Sequence, residues 1–428
     1  MKYAQSERQR SDALSPFSVA RKMVRRCCRT VRCLRYRASD KARLHAQVRL
    51  VDLPLLRHRS SFFGYYNRSP WNANGDILFQ ETAGWRKRAS LYDRLELKAY
   101  RPSKNEVVTI GETNAWNWQQ GCMLQWLGDT CDRVIYNAYS AEDDVYCSRI
   151  ADLNTGRTTR LCQPIYSVNP QGTCALTLNF SRLAGLRPDY GYFNKNVLEE
   201  YDVARDGIWR IDLCRNKSRL ILSLKDIVEF EHSDNMDNVE HRVNHIDISP
   251  DGKRFMVLHR WLTRQGTLTR LLTADMQGGN VHCLANDDMV SHCIWRNEKQ
   301  ILAWARKQGV GDRYFLFTDQ SRDYEIVGEN RLDEDGHPSF SPDGRWLLTD
   351  TYPDNGRMSS LRIFDLQGNN LVELGAFFQP PRFRGEIRCD LHPRWSLDGN
   401  SVSFDSCHSG RRRFYVLDVS SIVRSRGA

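Results

Sequence analysis

The residues best suited to chemistry are histidines with their neighbours, and they recur at matching places in similar segments. His245 stands in NHIDISPDGKRFMVLHR, which closes on His259 and Arg260; His337 opens HPSFSPDGRWLLTDTY, which closes on Asp350 and Tyr352; His392 opens HPRWSLDGNSVSFDS, with Asp405 and His408 at its far end. If each segment is an antiparallel hairpin, the residue entering its first strand and the one leaving its second lie at the same end of the sheet. By the same logic Tyr65 or Tyr66 shares a rim with Glu81, and Asn179 and Arg182 reach it from another hairpin. Proton abstraction beside an anionic group needs a base of suitable pKa, a cation to neutralise the anion, and an acid for the leaving oxygen. His245 or His259 fits the base, Arg182, Arg260 or Arg388 the cation, and Tyr352 or Tyr66 the acid.

The elements that must position these residues form an internal repeat. Seven segments, from SPWNANGDILFQE to HPRWSLDGNSVSFDS, have a short strand, a polar turn and a second apolar strand. Each is followed by a third alternating segment such as GIWRIDL or RFYVLDV, and six by a fourth such as RLILSL. The last repeat lacks its fourth strand, and AQVRLVDLPL at 46–55 resembles it. These observations predict an all-β, seven-bladed propeller closed by an N-terminal strand, with residues 45–428 as the propeller and 1–44 as a preceding arm. Every first strand then lines the central channel in one direction, so the rim groups converge on one mouth. The tryptophans, Trp71, Trp126, Trp295, Trp346 and Trp395 among them, fall on or beside strands and are read as core. Between Gly172 and Gly252 the repeat stretches to 80 residues, placing long insertions within 181–244. The first insertion carries Arg182, Arg187, Tyr190, Tyr192 and Phe193, suited either to gripping an anion and stacking on a sugar or to pinning the loop itself.

Composition narrows the classes. With 428 residues, 40% apolar and 11% aromatic, the chain can bury a large core. No stretch approaches the roughly 20 apolar residues that span a bilayer, and the charged N-terminus lacks the apolar run of a secretory signal, so a cytoplasmic location is expected. The 13 cysteines include no CxxC pair and are expected as free thiols. His282–Cys283 and His292–Cys293 match no zinc spacing and are read as buried thiols beside unrelated histidines. The net charge of +10 sits in residues 1–44, which hold 13 basic against 3 acidic side chains, while the rest carries 49 of each. A neutral body argues against a specific nucleic-acid partner. Phe17, Val24, Cys28, Val31 and Leu34 give the arm the pattern of a basic amphipathic helix, fitted to an anionic membrane surface or an acidic partner; a solvated arm without partner is the alternative. Nucleophile-elbow, P-loop, H-E-x-x-H and G-x-G-x-x-G signatures are absent.

The SPDG-turn hairpins resemble TolB-type propeller repeats over most of residues 58–420. Within that class FFGYYNRSPWN, NHIDISPDGKRFMVLHR, GHPSFSPDGRWLLTDTYPD and DLHPRWSLDG resemble the propeller polysaccharide lyases of the oligogalacturonate and ulvan type. The resemblance implies an acidic, uronate-containing oligosaccharide or polysaccharide as ligand, β-elimination as the reaction, and a role in surface-glycan metabolism. It also implies a divalent metal at the channel mouth held by His245, His337 and His392, although the Q-x-x-H-x-H ligand pattern of oligogalacturonate lyases is absent from RCDLHPRW. The competing expectation is a non-catalytic interaction module, a protein or glycan scaffold anchored by the basic arm. A monomer is expected in either case.

Overall fold

The computed structural model describes residues 41–84, 93–195 and 202–425. Its hairpins are set by their turns. Ser249 Oγ donates to Asp251 Oδ1 at 2.7 Å and accepts from the Arg254 N–H at 3.0 Å, while Gly252 takes a φ of +74° that glycine adopts without steric cost. The wiring recurs where Ser396 Oγ donates to Asp398 at 2.6 Å and accepts from the Ser401 N–H at 2.9 Å. Turns tied from both sides hold the strand register, and register decides which side chains face the channel.

Seven antiparallel sheets follow, each beginning on an inner strand and stepping outward. Blade four, for instance, is His241–Ile248, Arg254–Thr263, Gly266–Asp275 and His282–Ala285. Blade seven has three strands of its own, ending on Arg413–Asp418, and is closed by Arg49–Val51, with Arg49 opposite Asp418 and Val51 opposite Val416. The expected closing strand is thus in place, and the ring has seven blades. Ala42–Leu44, counted in sequence with the arm, adds a fifth strand to blade six by pairing Ala42 with Phe377. It covers an edge whose N–H and C=O groups would otherwise lack partners. The basic helix expected earlier in the arm falls outside the described residues.

Tryptophans join the blades, as core. The buried indoles of Trp126, Trp295 and Trp395 each donate to a carbonyl of the preceding blade, at Pro70 (2.9 Å), Asp247 (3.1 Å) and Ser339 (3.3 Å). Truncating one such ring costs about 3–5 kcal/mol.

The insertion after blade three's second strand folds as the helix Phe180–Leu186, capped by Asn179 through the Arg182 N–H at 3.1 Å. The chain then doubles back so closely that a side chain at Gly191 would lie 2.1 Å from the Ala184 nitrogen. Tyr192 stacks on Phe180 at 4.3 Å and receives the Asn137 amide at 3.0 Å, which pins the loop. That anchoring carries Arg187, Asp189 and Tyr190 toward the channel.

Candidate functional site

His337 and His392 come from the inner edges of blades six and seven and share one carboxylate. Asp350 Oδ1 accepts from the His337 N–H and from its Nδ1, both at 2.8 Å, and Oδ2 accepts from the His392 N–H at 3.2 Å. His392 Nδ1 donates to the Gly64 carbonyl at 2.9 Å. With both Nδ1 atoms engaged, both Nε2 atoms are buried and have no hydrogen-bond partner among the described residues. Asp390 completes the group, and one ligand atom from each of the three lies within 4.8 Å of the others. A buried bare nitrogen is costly unless something is meant to occupy its lone pair. Imidazoles whose other nitrogen is held by a carbonyl or carboxylate, beside a further carboxylate, are the donor set of a divalent cation. His337, Asp390 and His392 therefore fit such an ion.

His245 stands next to this group. It adopts a left-handed φ of +55°, as His392 does at +44°, a conformation that costs a β-carbon of order 1 kcal/mol and tends to be kept where function requires it. Its N–H donates to the Tyr166 hydroxyl at 3.0 Å, and its Nε2 lies 2.9 Å from the Tyr65 hydroxyl. The Tyr65 ring sits between His245 at 5.1 Å and His392 at 4.9 Å. His292 joins from blade five, its ring 4.1 Å from that of His337 and its Nδ1 2.9 Å from Asp335 Oδ1.

Burial, followed by the charge of Arg260, pushes His245 well below the ordinary histidine range, so it is neutral and able to accept a proton at pH 7. His392 is lowered by burial and by His337. Burial works against charge on His337 too, but Asp350 outweighs it and raises the imidazole above its usual value, so a cation bound at its Nε2 would have to displace the proton that Asp350 favours there. Burial likewise opposes ionisation of Asp390, yet Arg388, 2.7 Å from its carboxylate, holds it below the normal range. Arg388 also binds Asp189 of the insertion at 2.6 Å, and Asp189 is 3.1 Å from Arg187, so the insertion is latched across this end of the channel.

Of the residues expected from sequence, His245, His337, His392, Tyr352, Arg260 and Arg388 come together. Tyr352, 40% exposed, has its ring 5.8 Å from His337. Tyr66 is buried beside His337, but its hydroxyl is taken up by the Cys293 carbonyl at 2.9 Å and N–H at 3.0 Å, which leaves Tyr65 as the partner of His245. His259 does not join the group. It lies next to Arg260 on one strand, and side chains alternate faces, so Arg260 turns toward Tyr65 while His259 turns back to His241 and Arg270. Arg182 is engaged by the His241 carbonyl, Glu240 and Asp206, and ties the insertion to blade four. The three residues close enough together to hold a cation are His337, Asp390 and His392; His245, expected as a third ligand, lies outside that cluster and bonds Tyr65.

Sequence reasoning read His292 as an unrelated histidine beside a buried thiol and did not single out Asp335 or Asp390. The signal for His292 was its place in blade five, at the position entering a hairpin that holds His337 in blade six. A cleft of about 460 Å³ at the edge of blades two and three is lined by Tyr146, Lys195, Asp202, Arg205, Asp206 and Trp209 and has no histidine in its lining.

No protein-family model matches the sequence, and no curated protein matches it. Solved structures do match in three dimensions. An oligogalacturonate lyase in complex with manganese aligns with a TM-score of 0.59 at 11% identity, covering 84% of this chain and 90% of that one. The oligogalacturonate lyase of Vibrio parahaemolyticus gives a TM-score of 0.59 and 11% identity over 89% and 99%. TolB from Acinetobacter baumannii covers 81% of this chain and 78% of its own at 12% identity, with a TM-score of 0.41. At these identities the likeness is one of fold, and the chain is a seven-bladed β-propeller of the kind that oligogalacturonate lyases share.

Proposed function

We propose that the protein takes a uronate-containing oligosaccharide at the channel mouth and cleaves it by β-elimination. The observation that carries this reading is the pair of bare, buried Nε2 atoms on His337 and His392, set with Asp390 on the other side of the Tyr65 ring from a neutral His245. Elimination beside a carboxylate needs charge neutralisation and a base within reach of the same sugar. A divalent cation held by His337, Asp390 and His392 would supply positive charge to the substrate carboxylate. His245, oriented by Tyr65 and by the Tyr166 bond to its N–H, would accept the proton adjacent to that carboxylate. Tyr352, a phenol beside His337, keeps its proton at neutral pH and suits donation to the leaving oxygen. Arg260 would add cationic charge, while Arg388, already paired with Asp189 and Asp390, would hold Asp390 in place. The manganese bound by a lyase of the same fold supports the ion type, and the donor set here accommodates it.

The test is ultraviolet absorbance with oligogalacturonate and other uronate oligomers in the presence of Mn²⁺, because elimination leaves a conjugated double bond. Binding without any absorbing product would replace this reading with the non-catalytic module.

A further inference from the structure

Blade four carries two like charges that the fold leaves uncompensated. Arg242 and Arg260 are directly opposite one another on its first two strands, so both side chains leave the same face of the sheet. Like charges in that position destabilise a strand pair, and burial raises the cost. Arg242 is 8% exposed; its Nε is buried without an acceptor, and its guanidinium forms no hydrogen bond or ion pair among the described residues. Arg260 makes a single long bond, to the Val290 carbonyl at 3.4 Å, and its Nε also lacks an acceptor. Burial, then Arg260 and Arg187, bring Arg242 down to about 10. The carboxylate that acts on Arg242 is Asp189, which Arg187 and Arg388 already hold at 3.1 and 2.6 Å. Only the two Nε atoms are buried without acceptors, so the outer guanidinium nitrogens of the pair are left open to a ligand that brings the missing charge.

We propose that Arg242 and Arg260 form an anion seat beside His245, and that its ligand brings two negative charges, from one phosphomonoester or from two neighbouring carboxylates of an acidic sugar chain. Arg242 stands on the same strand as His245, three residues before it, and Arg260 is directly opposite Arg242, which places the seat next to the histidine group. One carboxylate would neutralise one guanidinium and leave its opposite bare. A phosphate or a carboxylate pair satisfies two planar forks together. The seat stands whether or not elimination occurs; only the sugar-chain source rests on the function proposed above.

The experiment is thermal unfolding of the whole protein with inorganic phosphate, digalacturonate or galacturonate, each compared with sodium chloride at equal ionic strength. Phosphate or digalacturonate should raise Tm saturably and galacturonate far less, and whichever of the first two acts identifies the source. Arg242→Met should lose that response and, freed of a bare charge, melt no lower than the parent without ligand. An equal response in Arg242→Met, or none from either ligand in the parent, overturns the proposal. If Arg242→Met does not fold, Arg242→Lys should weaken half-saturation by about tenfold, since an ammonium lacks the guanidinium fork; an unchanged midpoint overturns it. Uronate elimination that is unaffected in Arg242→Met would rule out the sugar chain as the seat's ligand and spare the lyase, whereas a saturable Tm response with no elimination product would keep the seat and sink the lyase.

Discussion

Two groups of buried histidines meet blade four, one on each face of its inner strands, and they differ in what their nitrogens do. On the outward group every nitrogen has a partner. His241 Nε2 donates to the Met236 carbonyl at 2.8 Å, its Nδ1 lies 2.9 Å from His259 Nε2, and His259 Nδ1 accepts from Arg270 Nε at 3.0 Å. Arg270 in turn donates to the carbonyls of Glu231 and Ile227, so the network ties the 227–241 segment to the sheet. At the channel mouth, His337 and His392 have one satisfied nitrogen and one bare. Burial alone does not separate a structural histidine from a working one; an unfilled lone pair does.

Substitutions should break the two groups in different ways. The largest effect is expected from His337→Ala or His392→Ala, which should weaken Mn²⁺ binding by about 100-fold or more in calorimetric titration, because each removes a proposed ligand. His259→Ala should leave Mn²⁺ binding intact and cost about 2–4 kcal/mol of stability in denaturant unfolding, since it strands His241 and Arg270 in the interior. Tyr65→Phe should lower the elimination rate by about tenfold or more with little loss of stability, through the lost bond to His245.

The smallest effect is one of pH. His241 and His259 are both held below the ordinary value near 6.5, first by burial, and for His259 next by Arg270. The folded protein keeps them neutral while the unfolded chain protonates them, so their contribution is full above about pH 6.5 and is lost as pH falls below it. Unfolding free energy measured across that window should fall on acidification, and less steeply in His259→Ala.

Much of this was legible in the sequence. The SPDG hairpins repeat because Ser, Asp and Gly each have a bonded role in the turn, and the missing fourth strand of the last repeat pointed to residues 46–55. Strand-end reasoning brought His245, His337 and His392 to one mouth. It failed at His259, where alternation over a single residue reverses the facing, on a strand whose partner changes register between Asn244 and Asp247. Asp390 and His292 were missed because their value comes from neighbours distant in sequence, and the split within the insertion, Tyr192 inward and Arg187 toward the mouth, depends on a fold-back that spacing does not encode.

The most direct measurement is formation of unsaturated product from oligogalacturonate with Mn²⁺ supplied or chelated, run on the parent protein, His245→Ala and His259→Ala. Product that needs Mn²⁺, vanishes in His245→Ala and persists in folded His259→Ala is the expected result. Equal rates in His245→Ala and the parent, or no product under any of these conditions, would contradict the assignment of the mouth as a lyase site.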